Sequence, residues 1–107
     1  MHYNKLVLVA LMLACSSVGA MAQSKTITGG PYFGCKDSEV GDRITTMMVQ
    51  GDKPAAMKLL TAGVLSNQCK VWEKGETAYL ESVGFARHCL RPAGETTCYW
   101  TPVEAIR

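Results

Sequence analysis

The chain has 107 residues, 48% of them hydrophobic, and carries 11 basic against 9 acidic side chains. This hydrophobic content excludes a disordered chain, and the length allows one domain at most. A net charge of only +2 argues against the basic stripe of a nucleic-acid-binding protein, so no nucleic-acid partner is expected. The sequence contains no nucleotide-binding loop, metal-ligand cluster or catalytic triad, and we therefore expect no metal and no other cofactor.

Residues 1–22 have the features of a secretory signal peptide. Lys5 supplies a positive charge, residues 6–14 (LVLVALMLA) are an unbroken apolar run, and residues 20–22 (AMA) form a small-residue cleavage motif. The apolar run is too short to cross a bilayer as a helix, which needs about 20 residues. We predict cleavage after Ala22, a periplasmic or secreted location, and a mature chain without a transmembrane segment.

Cys15 leaves a second processing route open. Residues 12–15 (MLAC) are a poor version of the lipoprotein motif, in which the cysteine is acylated and anchors the protein. By that route residues 16–25 would form a tether. Residues 23–34 (QSKTITGGPYFG) are polar and rich in glycine, which predicts a flexible arm ahead of the domain by either route.

The remaining four cysteines predict two disulfides. An even number of cysteines in a small exported domain is typical of a disulfide framework. A four-residue hairpin loop at 92–95 would place Cys89 opposite Cys98, within disulfide reach. Of the three possible pairings, this one leaves Cys35 with Cys69. The spacings lack the C-x-x-C pairs of zinc and redox sites.

Two short helices are predicted after Cys35. Asp37 or Ser38 can cap the first helix, Gly51 ends it, and Asp52 can cap the second. The apolar residues at helical spacing are Val40, Ile44, Met47 and Met48 in the first helix, then Ala56, Leu59, Leu60 and Gly63 in the second.

The second half of the chain predicts short strands. They fall at residues 69–73, 77–83, 85–91 and 96–100, with one helical turn at 103–106. Two helices packed on four or five short antiparallel strands make an α+β domain over residues 35–107. Strands this short, joined by tight turns, suggest a small curled barrel.

Three short motifs in this half carry a resemblance to a known class of domain. They are Gly75-Glu76-x-x-Tyr79, Cys89-Leu90-Arg91-x-x-Gly94 and Tyr99-Trp100-Thr101. These motifs resemble those of bacterial SH3-like domains. Over residues 33–106 the chain is also similar to small exported bacterial proteins of unknown role. The resemblance implies a disulfide-stapled SH3-like barrel of four to five strands and an exported accessory or binding domain, and it supplies no catalytic residues.

Arg87, Arg91 and Trp100 are the candidate binding residues. If Leu90 and Tyr99 face the core, strand alternation places the three on the outer face, over the predicted disulfide. Arginine and tryptophan are the residue types that dominate binding hot spots. We therefore expect a non-enzymatic binding or accessory module of the bacterial envelope, whose partner is an unknown protein, peptide or envelope component.

Three alternatives stay open at this stage. Trp100 could instead lie under the last helical turn, with both arginines solvated. A rigid loop at 92–95 would suit a secreted inhibitor or toxin. A small periplasmic hydrolase would need its glutamates and its one mature histidine in a common cleft. Those residues are Glu73, Glu76, Glu81 and His88.

Overall fold

A computed structural model describes residues 23–107. The predicted signal peptide and Cys15 lie outside the described residues. The described chain forms one antiparallel sheet and two helices, followed by a 3₁₀ helix. In chain order the elements are β1 (Gln23–Thr26), β2 (Tyr32–Cys35), α1 (Ser38–Val49), α2 (Lys53–Leu65), β3 (Cys69–Trp72), β4 (Thr77–Val83), β5 (Arg87–Pro92), β6 (Tyr99–Pro102) and the 3₁₀ helix (Val103–Ile106).

Both helices begin at the residues whose side chains cap them. The carboxylate of Asp37 accepts the N–H of Glu39 at 2.9 Å, and that of Asp52 accepts the N–H of Ala55 at 3.2 Å. These bonds satisfy backbone donors that have no partner within the helix. Pro54 lies in the first turn of α2, where a missing N–H costs nothing. The prediction of two capped helices is confirmed.

The six strands lie in the order β1-β4-β5-β6-β2-β3, and the sheet must curl strongly. Strand β3 at one end is joined to β4 near the other end by a turn in which Glu76 N–H bonds to the carbonyl of Glu73 at 3.1 Å. Such a turn spans less than about 7 Å, whereas four strand spacings in a flat sheet would span roughly 19 Å. Ile27 bonds to the same turn through its N–H and its carbonyl, which helps to close the curled sheet.

The strand count corrects the prediction of four to five strands. Residues 23–34, predicted as a flexible arm, form β1 and β2 instead. β1 pairs with β4, while β2 pairs with both β3 and β6. Each strand has four residues and pairs with segments far along the chain, so local composition carries little signal for it. The α+β class is confirmed, and the SH3-like barrel stays a prediction.

The two disulfides join the cysteines that were predicted to pair, Cys35 with Cys69 and Cys89 with Cys98. The hairpin register behind the second pairing was wrong. Cys89 lies opposite Trp100, so its bonded partner sits diagonally at a Cα–Cα distance of 5.2 Å. The loop is longer than four residues because β6 begins only at Tyr99. Two disulfides in so small a domain indicate an oxidising, extracytoplasmic environment.

The buried residues form two clusters, one on each face of the sheet. The cluster on the concave face is Ile27, Trp72, Ala78, Leu90 and Ala105. The cluster beneath the helices is Cys35, Ile44, Ala56, Leu60 and Cys69. No helix among residues 23–107 is both long enough and apolar enough to cross a membrane.

Candidate functional site

Arg87 connects strand β5 to helix α1. Its Nε donates to Asp42 Oδ1 at 3.1 Å, and its Nη2 donates to the hydroxyl of Thr45 at 3.0 Å. Its Nη1 is buried without a hydrogen-bond partner among the described residues, and Gly41 lies beside it. The guanidinium is therefore not freely solvated, since it holds α1 against the sheet and the side chain is only 14% exposed.

Arg91 lies four residues further along the same face of β5 and makes a different set of contacts. Its Nε pairs with Glu81 Oε1 at 3.1 Å, and its Nη1 donates to the carbonyl of Glu95 at 3.1 Å. The guanidinium carbon lies 4.6 Å from the centre of the Tyr79 ring, within the range of a cation–π contact. Glu81 reaches it from a bulge in β4, where the pairing with β5 shifts. The two arginines thus belong to separate clusters.

Trp100 sits between the two disulfides on the face that carries the helices. It is paired with Cys35 on one side and with Cys89 on the other. Its indole is half-buried and borders a hollow of about 270 Å³ that Ser38 and Asp42 also line. The structure thus places Trp100 beside α1, on the face opposite the concave cluster in which Ala105 of the 3₁₀ helix is buried.

Phe85 is a fully exposed aromatic residue that was not among the candidate binding residues predicted from the sequence. It lies in the connection between β4 and β5, its side chain is wholly exposed, and the neighbouring Val83 is 74% exposed. The sequence pattern predicted a strand over residues 85–91, whereas β5 begins at Arg87. We call residues 82–86 the β4–β5 tip. The only sequence signal was Gly84, which interrupts the strand pattern and leaves an apolar residue on each side.

Phe85 stands between two hollows. One is the 270 Å³ hollow beside Trp100. The other, of about 400 Å³, lies on the far side between Thr45, Pro102 and Arg107. A partner can bind to a projecting aromatic ring with a hollow on each side, because the ring offers a large apolar area and loses little conformational entropy on binding.

The conformation of the tip is supported by close contacts at its base. The Nδ1 atom of His88 accepts the N–H of Gly84 at 3.3 Å. A Cβ at Gly84 would overlap the carbonyl of Arg87 and would lie 3.2 Å from the Trp100 ring. Only glycine allows the backbone to approach so closely. The histidine therefore has a structural contact in the turn that presents Phe85.

The residues needed for the hydrolase alternative do not converge. The carboxylate of Glu76 accepts the N–H of Glu73 at 2.8 Å and pairs with Lys70 at 3.0 Å, at the opposite end of β4 from the tip. Glu81 pairs with Arg91, and His88 bonds to the tip. Among residues 23–107 no group of three or more histidine, cysteine, aspartate or glutamate side chains could hold a metal ion.

A polar hollow of about 360 Å³ lies on the other side of the second disulfide, lined in part by Lys36, Asn67 and Thr97. Tyr99 forms part of its wall and donates a hydrogen bond to Glu95 Oε1 at 3.0 Å. Burial raises the pKa of the Tyr99 phenol above its ordinary value of 10.0, and the bond to Glu95 and its charge raise it further. The phenol is thereby held protonated as a donor that fixes the loop after β5.

No protein-family model, curated protein or solved structure matches the chain. The site is therefore defined by its geometry. Its parts are a wholly exposed ring at the β4–β5 tip, a half-buried indole beside it, and an Arg87–Asp42 ion pair at the edge of the hollow between them. Such a set offers apolar area with a polar rim, which is the anatomy of a protein-binding surface.

Proposed function

We propose that the mature chain is a periplasmic or secreted binding module, acts without catalysis, and contacts its partner through the β4–β5 tip and Trp100. The observation that carries the proposal is the complete exposure of Phe85. A phenylalanine that is wholly exposed contributes nothing to its own domain's core. Burying such a side chain in a complex is worth about 1.5–3 kcal/mol, so the gain arises only when a partner covers it.

The surroundings of Phe85 support a protein or peptide partner. The hollow beside Trp100 can receive an apolar side chain of the partner, while the exposed carboxylate of Asp42 at its edge offers a hydrogen-bond acceptor. Hot spots are typically aromatic and arginine residues surrounded by polar contacts that exclude water. Arg91 remains in the proposal as the outer limit of this face, where a partner would compete with Glu81 for the guanidinium.

The location rests on the disulfides together with the predicted signal peptide. Two disulfides within the 85 described residues are typical of an oxidising compartment, and the apolar run at residues 6–14 is typical of an export signal. A partner in the periplasm or outside the cell is therefore a protein, a peptide or another envelope component.

Site-specific photo-crosslinking in the exporting cell tests the proposal. A benzophenone-bearing phenylalanine analogue replaces Phe85 in one variant and Lys74, an exposed residue of the β3–β4 turn, in the control. We expect a discrete crosslinked species from position 85 that is absent from position 74. The same adducts at both positions, or none from position 85, would contradict the proposal.

A further inference from the structure

A second surface, which shares no lining residue with the two hollows beside Phe85, lies between the two helices. Helices α1 and α2 run side by side over the sheet and leave an apolar groove of about 360 Å³ on their outer side. Its apolar lining consists of Met47, Ala55, Leu59 and Ala62. The volume is comparable to the lower end of the range for ligand pockets, roughly 300–1,000 Å³. The groove is thus large enough to seat side chains from another molecule.

Helix α2 is apolar on more faces than its own domain covers. It buries only Ala56, Leu60 and Gly63. Leu65, one turn beyond the groove residue Ala62, is 82% exposed. A surface helix normally keeps its solvent-facing side polar, and a helix that is apolar around its circumference is normally buried. The uncovered side of α2 therefore points to something that covers it.

The two charged residues that line the groove are both basic. Arg43 on α1 and Lys58 on α2 line it from the two helices, and both are exposed. Neither forms an ion pair with any residue between 23 and 107. Helix α2 contains no acidic residue, and Glu39, one turn from Arg43 on α1, does not line the groove. The groove lining therefore carries two positive charges and no negative one, and the carboxylate of Asp52, which accepts the N–H of Ala55, caps the start of α2 beside it.

We propose that this groove binds an acidic amphipathic helix of a partner protein. An amphipathic helix can bind with its apolar face in a hydrophobic groove, and the groove then contacts apolar side chains at helical spacing. Asp or Glu residues on the two sides of that face would meet Arg43 and Lys58, one on each helix. The partner's apolar residues would cover Leu59 and Met47 between them. This surface is independent of the proposed function of Phe85.

Charge argues against one other occupant of such a groove, and shape argues against another. In a two-fold dimer built on this face, the same two basic residues would meet their own copies, and like charges brought together disfavour association. An anionic lipid surface is planar, whereas the groove lies between two helices and can receive a row of side chains from another helix. Complementary charge and shape together favour the acidic helix.

Peptide selection on the purified mature protein tests this proposal. The probe is a display library of random peptides about 15 residues long, roughly four helical turns. We expect the selected peptides to carry apolar residues at helical spacing, flanked by Asp or Glu. Their affinity should fall at least tenfold in the double variant Arg43→Glu/Lys58→Glu. The matched control Lys53→Glu/Lys74→Glu makes the same change of net charge outside the groove and should keep the affinity.

A third variant separates a seat from a general charge effect. Ala62→Arg adds positive charge but fills the groove, so it should weaken binding if the apolar seat is used and strengthen it if charge alone is responsible. Thermal melts establish that each variant folds. The proposal is overturned if selection yields no acidic amphipathic peptides, or if their affinity ignores Arg43 and Lys58. It is equally overturned if Ala62→Arg binds more tightly, if the groove mediates a dimer, or if the groove binds phosphatidylglycerol vesicles in preference to the peptides.

Discussion

Strand β3 and the β4–β5 tip show opposite uses of apolar residues. On β3 each face carries a buried side chain, because Cys69 is buried with the helices and Trp72 is buried in the concave core. At the tip neither side is covered, and Val83 and Phe85 stand in solvent. Burial of an apolar side chain stabilises a fold, whereas its exposure does not. The buried side chains of β3 therefore stabilise the fold, whereas the side chains of Val83 and Phe85 add nothing to its core.

Trp72 provides the largest expected effect in this comparison. Its side chain is wholly buried, and its Nε1 donates to the buried hydroxyl of Thr101 at 2.9 Å. Trp72→Ala removes the packing and leaves that hydroxyl without the donor, so we expect a loss of about 3–5 kcal/mol in the free energy of unfolding. Chemical denaturation measures it. Val71→Ala, at an exposed neighbour on the same strand, should cost under about 1 kcal/mol, and an equal cost for both would contradict the burial assigned to β3.

The two disulfides give the next largest expected effect. Cys35–Cys69 spans 34 positions and Cys89–Cys98 spans 9. In the loop-closure model the longer loop restrains more entropy of the unfolded chain, which gives about 4 kcal/mol against about 3 kcal/mol. The Cys35→Ala/Cys69→Ala variant should therefore unfold at lower denaturant than Cys89→Ala/Cys98→Ala. The reverse order would show that native-state contacts outweigh loop length.

Local sequence signals predicted more of the helices and the disulfides than of the β4–β5 tip. The helix caps at Asp37 and Asp52 depend on a few neighbouring residues, so they can be recognised without the fold. The even number of cysteines reflects an oxidising compartment and can be recognised from composition. The strands of residues 23–34 depend on pairing with distant segments, which composition does not encode. The register of Cys89 was wrong because the loop after β5 is held by the contacts of Glu95 with Arg91 and Tyr99. Those contacts exist only once the sheet has formed.

The candidate site was predicted only in part for a related reason. Arg87, Arg91 and Trp100 were placed on one face by strand alternation, which agrees with Trp100 lying opposite Cys89, the residue midway between the two arginines on β5. Alternation cannot say which arginine a helix covers, and Arg87 is the one that α1 covers. Phe85 was missed because an apolar residue in a strand-like pattern predicts burial, whereas the chain turns at Gly84 before β5 begins.

Gly63 offers a smaller effect that reverses an ordinary expectation. An alanine in place of a mid-helix glycine normally stabilises by up to about 1 kcal/mol. At Gly63 the added Cβ would lie 2.6 Å from the Sγ of Cys69, so α2 would have to move from the disulfide. We expect Gly63→Ala to cost about 1–3 kcal/mol. Gly41→Ala is the matched control on α1, where the nearest atom, Nη1 of Arg87, is 3.4 Å away, and it should be close to neutral. Thermal melts of the two variants decide, and a stabilised Gly63→Ala would refute the close contact.

Tyr99 gives the smallest effect on stability and one that depends on pH. Its pKa is raised in the folded state, chiefly by burial, so the folded protein holds the phenolic proton more tightly than the unfolded chain does. The stabilisation is complete below the ordinary pKa of 10.0 and is lost as the pH rises from there through the folded pKa. Tyr99→Phe should cost about 1 kcal/mol near neutral pH through the lost bond to Glu95, and the difference from wild type should shrink above pH 10. A difference that stays constant across that range would contradict the shift.

The contrast between β3 and the tip is tested most directly at Phe85. Once crosslinking has identified the partner, its affinity for the wild type is compared with that for Phe85→Ser, alongside melts of both proteins. Val49→Ser, at another exposed apolar residue on the end of α1, is the control. We predict an unchanged melt and a binding loss of at least about 2 kcal/mol, roughly 30-fold in Kd, for Phe85→Ser alone. An unchanged affinity, or a melt that falls with it, would contradict the assignment of the tip to recognition.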